Sequence, residues 1–140
     1  MMEFSFEING GDFSNAGMIS SLVKKTLKQL NIDGMIIRRT VVALYEAEVN
    51  IVAHAYSGVV NVNIFPDKIK IKLTDKGTGI AYIDLAMQQG YSTASPAVRE
   101  MGFGAGMGLP NIKNNTDELN LESTVGVGTM LEFTNFFEPK

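Results

Sequence analysis

Eight of the chain's 14 glycines fall in three tight clusters, Gly77/Gly79, Gly102/Gly104/Gly106/Gly108 and Gly126/Gly128. Glycine repeated at a spacing of two weakens helix and strand alike, because each glycine loses the most backbone freedom on folding. Such clusters mark turns or places where backbone meets a ligand. They separate the segments that can be regular from those that serve some other purpose.

Between them the hydrophobic pattern is readable. Met2, Phe4, Phe6 and Ile8 alternate with polar residues and predict a half-buried strand, closed by Asn9-Gly10-Gly11. Ile19, Leu22, Val23, Leu27 and Leu30 recur at helical spacing and predict a helix over about Ser14–Leu30. Asp33 can cap a second helix, from about Gly34 to Tyr56, ended by Ser57-Gly58. Val60, Val62 and Ile64, then Ile69, Ile71 and Leu73, predict an antiparallel hairpin about Pro66-Asp67. A short helix over about Ala81–Gln89 and a long loop over residues 91–106 follow. A loop of that length in a compact domain is usually functional. Leu109–Asn115 suits a short helix with Pro110 in its first turn. Leu119, Leu121, Val127, Leu131 and Phe133 predict a closing hairpin about Gly126. The order implies one two-layer α/β sandwich, with helices on one face of a mixed, mostly antiparallel sheet.

A chain of 140 residues suits a single domain spanning residues 1–140. It has no cysteine, which excludes disulfides, iron–sulfur ligation and thiol nucleophiles, and one histidine, which excludes a multi-histidine metal centre. The net charge of −3 argues against a nucleic-acid binder that works by bulk electrostatics. No apolar run reaches the length of a membrane span, and the N-terminus lacks the pattern of a signal peptide. The expected location is the cytoplasm. The eight methionines are expected to fill the core.

Four groups could carry chemistry. Glu46 and Asn50, four apart, share a face of the second helix with Arg39, Ala43 and Ala53, while Val41, Tyr45, Val49 and Val52 form the expected core side. That polar face lines a cleft or simply meets solvent. Glu48 points elsewhere on the wheel and is expected to be a surface charge, and His54 a structural residue. Asp75 continues the inward parity of Ile69, Ile71 and Leu73. A carboxylate there needs a partner. Either it caps its own turn, or a ligand with hydrogen-bond donors, such as an adenine amino group, satisfies it. Thr129 shares the parity of Val127, Leu131 and Phe133, and so faces inward, near Asp75 or bonded to backbone. Finally, the alternate glycines of residues 102–108 run into a helix start, where backbone N–H groups can hold phosphate. The spacing fits neither a P-loop nor a dinucleotide fingerprint, and a flexible hinge is the plain alternative.

Taken together, Glu46-Ala47-Glu48-Val49-Asn50, Asp75-Lys76-Gly77-Thr78-Gly79, Gly104-Ala105-Gly106-Met107-Gly108-Leu109 and Gly126-Val127-Gly128-Thr129 resemble, in order, the N, G1, G2 and G3 motifs of the GHKL ATPase superfamily. Gly90-Tyr91-Ser92-Thr93 and Gly106-Met107-Gly108-Leu109-Pro110 look like its branch of bacterial anti-sigma-factor serine kinases and switch kinases. The resemblance covers about Asp33 to Phe137 and implies ATP and Mg2+ as cofactors. It implies Glu46 as general base and Asn50 as magnesium ligand. It makes Asp75 the adenine reader, with Gly77, Gly79 and Thr129 beside it. Gly104, Gly106, Gly108 and Leu109 meet the phosphates, and a mobile lid across about 91–108 carries Arg99 as its cation. The implied reaction is transfer of the γ-phosphate to a serine of a STAS-type partner protein. A sigma factor is a second candidate partner and a homodimer a candidate assembly. A nucleotide-gated binding module without catalysis is the competing function, while the N-terminal strand and helix argue against a fragment of a histidine kinase.

Overall fold

In the computed structural model, which describes residues 1–77 and 108–138, the elements run β1 (Met2–Asn9), a 3-10 turn (Phe13–Asn15), α1 (Met18–Gln29), α2 (Gly34–His54), β2 (Ala55–Ile64), β3 (Lys68–Gly77), α3 (Gly108–Asn114), β4 (Glu118–Thr124) and β5 (Gly128–Phe136). The helix expected over Ala81–Gln89 and the loop over 91–106 lie outside the described residues. The described strands form one sheet in the order β1-β2-β3-β5-β4, and every described pairing is antiparallel. The α/β architecture with helices packed on a sheet is as expected.

The sheet's inner face is built in rows across the strands. Val60, Leu73, Leu131 and Leu121 are register partners in one row, and Val62, Ile71, Phe133 and Leu119 in the next. Most of these side chains are fully buried in a core shared with Leu27 of α1, Ala43 and Leu44 of α2 and Ile112 of α3. One row further, apolar side chains run out: Gly58 opposes Asp75 in β2 and β3, and Ser123 opposes Thr129 in β4 and β5. Gly58 lacks a side chain because Ile51 of α2 fills that space; a Cβ there would lie 3.0 Å from the Ile51 side chain. The glycine expected to end the second helix is therefore inside a strand. α2 stops at His54, the Ala55 N–H bonds back to the Ile51 carbonyl, and extended backbone begins at once. Helix passes into strand with no loop.

α2 also corrects the expected core side. Val49 and Val52 are buried, but Val41 is only half-buried and Tyr45 is 40% exposed. The buried set is Ile37, Thr40, Ala43, Leu44, Ala47, Glu48, Val49, Ile51 and Val52, more than one stripe of the helix. The cause is that α2 has neighbours on three sides, α1, α3 and the sheet. Nor do the methionines all fill the core, since Met1, Met2, Met18 and Met35 are exposed.

The largest departure from expectation is Glu48, which is 2% exposed rather than a surface charge. α1 begins after Gly17, at φ 92°, and has no capping side chain of its own. Glu48 supplies the cap from α2. Its Oε2 accepts from the N–H of Gly17 at 2.9 Å and of Ile19 at 3.3 Å. Its Oε1 accepts from the Ser20 N–H at 3.1 Å and the Ser20 hydroxyl at 2.7 Å. A carboxylate at a helix N-terminus also meets the positive end of the helix dipole. Glu48→Ala strands four donors and should cost about 2–3 kcal/mol, whereas Ser20→Ala, which removes one, should cost about 1 kcal/mol; urea unfolding measures both.

Candidate active site

α2 presents Glu46 and Asn50 one turn apart on the same side, as expected from their spacing. Glu46 lies at the edge of a groove of about 670 Å³ between α1 and α2, whose walls include Gly17, Met18, Ser20, Lys24, Val42 and Tyr45. On its other side Glu46 Oε1 accepts a hydrogen bond from Asn111 Nδ2 of α3 at 3.4 Å. The Asn50 side chain is half-buried and makes no hydrogen bond to a described residue.

Asp75 sits at the end of β3, where the apolar rows stop. Its Oδ1 accepts from the Thr129 N–H at 3.1 Å, so of the two alternatives left open for Thr129 it lies near Asp75, bonded through its backbone. The Thr129 hydroxyl pairs with Ser123 Oγ at 2.8 Å. Val127, expected to share the inward parity, is 66% exposed in the turn before β5. Burial pushes the Asp75 carboxyl up from its ordinary value, and the Thr129 N–H opposes that shift in part. Among the described residues Asp75 Oδ2 has no hydrogen-bond partner. Ile51 packs over Gly58, the residue opposite Asp75, so the Asn50 end of α2 and Asp75 occupy the same end of the domain.

Two glycines close this end for steric reasons. Gly77 is buried and donates its N–H to the Val127 carbonyl at 3.1 Å. A Cβ on Gly128 would collide with the Asp75 carbonyl oxygen, and its φ of 155° is one that side-chain-bearing residues rarely adopt. Leu109 is buried in the core, so only its backbone is available to a ligand. Gly79, Arg99, Gly104 and Gly106 lie outside the described residues, and Gly108 is the first residue of α3. His54 is half-buried at the end of α2, where burial lowers its pKa. Sequence reading missed Glu48, Ser123 and Asn111. Asn111 could have been found from its spacing of four from Asn115, just past the end of α3, which continues one polar side of the helix.

Residues 14–135 match the family described as the histidine kinase-like ATPase domain. The chain belongs to that family. The resemblance read from the four motifs is thus borne out. Anti-sigma F factors from Caldanaerobacter subterraneus subsp. tengcongensis and from a Thermoanaerobacter species are each 35% identical to it over 99 residues, 67% of this chain and 66% of theirs. The match thus spans slightly under two thirds of those relatives' length. The serine/threonine-protein kinase RsbT of Bacillus subtilis is 30% identical over 115 residues, 79% of this chain and 80% of its own. A solved structure of the RsbU and RsbW domains of a Mycobacterium tuberculosis protein has the same fold, with a TM-score of 0.61 at 17% identity, covering 94% of this chain and 32% of that one.

For a histidine kinase-like ATPase domain, the donor set is chemically apt. A desolvated carboxylate with one oxygen bonded and the other without a partner among the described residues suits an amine donor such as that of adenine. No group of three or more His, Asp or Glu side chains that could hold a metal occurs among the described residues. A neutral amide oxygen such as that of Asn50 suits magnesium, which takes few protein ligands and completes its shell with phosphates and water. Among the described residues, no helix is long and apolar enough to cross a membrane.

The raised Asp75 pKa has a consequence for stability. The folded chain holds this proton to higher pH than the unfolded chain, whose ordinary value is 3.8. Ionisation therefore weakens the fold as pH rises through the folded-state value, and has no effect below the unfolded one. Asp75→Asn should raise the unfolding temperature of the ligand-free ATPase domain near neutral pH and leave it unchanged at about pH 3. Scanning calorimetry at the two pH values checks this; a lower unfolding temperature at neutral pH contradicts it.

Proposed function

We propose that this chain is an ATP- and magnesium-dependent serine protein kinase that acts as a cytoplasmic regulatory switch, moving the γ-phosphate of ATP to a serine of a STAS-type partner protein. The observation that carries this reading is the contrast between the two carboxylates of α2. Glu48 is held by four donors and buried, so neither of its oxygens is open to a substrate. Among the described residues Glu46 has one long hydrogen bond, and it borders a groove open to an incoming side chain. A domain that only bound nucleotide would not need such a base.

In this mechanism Asp75 accepts from the adenine amine, with Gly77, Gly79 and Thr129 around it. The amide oxygen of Asn50 holds magnesium, which when bound neutralises phosphate charge. The backbone of Gly104, Gly106, Gly108 and Leu109 receives the phosphates, and Arg99 is assigned to the γ-phosphate. The partner's serine enters along the α1–α2 groove, and Glu46 takes its hydroxyl proton as the oxygen attacks phosphorus and ADP leaves. The kinase named RsbT and the anti-sigma F factors among the relatives support this class of reaction and a sigma factor as a second partner. Residues 1–140 act as one ATP-binding domain, and a homodimer is the proposed assembly.

Labelled ATP, magnesium and candidate STAS proteins from neighbouring genes test the reading directly. Glu46→Ala should keep ATP affinity within a few-fold by calorimetry and lose transfer by about 10²–10⁴-fold. Asn50→Ala should weaken magnesium-ATP binding as well. Normal transfer by Glu46→Ala would remove the base and leave a nucleotide-gated binding module.

A further inference from the structure

We propose that Asn111 is the positioning residue of the Glu46 base, and that a buried polar clamp between α2, α3 and β5 sets its reach. The proposal rests on the reading of Glu46 given above. Its physical basis is that α3 is tied to α2 at two points. At one, Asn111 Nδ2 donates to Glu46 Oε1 at 3.4 Å. At the other, fully buried Asn135 of β5 donates from Nδ2 to Thr40 Oγ1 of α2 at 3.1 Å and to the Asn115 carbonyl, just past α3, at 3.1 Å. Asn135 Oδ1 accepts from the Asp117 N–H at 2.9 Å. The Asp117 carboxylate pairs with Arg39 of α2 at 3.0 Å and accepts from the Phe136 N–H at 2.8 Å.

The two ties are joined. Asn115 Nδ2 donates to the Asn111 carbonyl at 2.7 Å, so the residue held by Asn135 in turn holds the residue facing Glu46. Thr40 precedes Glu46 on α2 while Asn115 follows Asn111, so the two helices run antiparallel along this contact. Six residues of α2 rise about 9 Å and four of α3 about 6 Å, which allows both ties at once.

The chemistry of the contact is directional. A carboxylate only accepts, so the amide turns its NH2 towards Glu46. Occupying Oε1 fixes a flexible side chain that would otherwise sample several rotamers over the groove, and leaves Oε2 for the proton of the acceptor hydroxyl. A bond of 3.4 Å is long at rest, as contacts of a base often are before the reactants are seated. Asn111 is uncharged and half-buried, so it orients the base without competing for the proton.

The test uses the full chain with magnesium-ATP and water as the probe acceptor, following ADP formation, beside calorimetric ATP affinity and thermal unfolding. Asn111→Ala should lower kcat about 10–100-fold while KM for ATP, ATP affinity and unfolding temperature stay close to wild type. Asn111→Asp, which sets a second carboxylate against Glu46, should be slower still, and Asn111→Gln, which keeps the donor, should recover part of the rate. In ¹⁵N spectra, Glu46→Ala should shift the side-chain amide pair of Asn111. A kcat unchanged in Asn111→Ala while Glu46→Ala is inactive overturns the positioning role and spares the base. A rate loss matched by a lower unfolding temperature, with no recovery in Asn111→Gln, makes Asn111 structural. Should ADP formation be too slow to follow, an unshifted Asn111 amide in Glu46→Ala overturns the contact by itself. Full activity of Glu46→Ala overturns the reading of the base and this proposal with it.

Discussion

The seat of Glu48 fixes how α1 and α2 meet. α1 starts at a glycine and lacks a capping side chain, so its first N–H groups need an acceptor from elsewhere. One carboxylate of α2 meets three of them and a hydroxyl. That ties the helices together and fixes how far α2 is rotated about its axis. Two residues earlier on a helix is about 200° away, so once Glu48 turns inward Glu46 must turn outward. The buried acid thus aims the groove-side one, and the wall of the groove beside Glu46 is the same α1 terminus that Glu48 holds.

The sheet shows a second trade. Its inner rows are apolar until Asp75, Thr129 and Ser123, where side-chain packing gives way to hydrogen bonds. Desolvating Asp75 works against the fold at neutral pH, yet a carboxylate poorly served by water is one that gains most from a ligand's donor. Some stability is given up where recognition is proposed, a common pattern at binding sites.

Much of this was legible in the sequence. Strict alternation placed β1, β2 and β3, because a strand buried on one face writes its parity directly into the residues. The inward turn of Asp75 followed from the same rule. α2 resisted, because a helix with three neighbours buries Thr40, Ala43 and Glu48 as well as its aliphatic residues, and no single stripe describes it. Glu48 in particular depends on an uncapped helix 31 residues earlier in the chain, a dependence no local window contains. The change from helix to strand at Ala55 was missed because Gly58 looked like a stop signal, when its bare Cα answers to Ile51 across the layer. Asn111 meets Glu46 65 residues away, again a matter of tertiary packing.

Gly128 opens β5 against Asp75. It has no side chain because the Asp75 carbonyl oxygen occupies that space, a demand of strand geometry that exists with or without nucleotide. The Asp75 carboxyl accepts the Thr129 N–H, a task a neutral acceptor could also perform, while burial sets its charge against the fold. Two halves of one motif pair thus answer to different pressures. If Asp75 reads adenine as proposed, loss of the aspartate with the glycine intact would mark a descendant that has given up that recognition but kept its architecture. Loss of the glycine would instead signal that the strands themselves had been rebuilt.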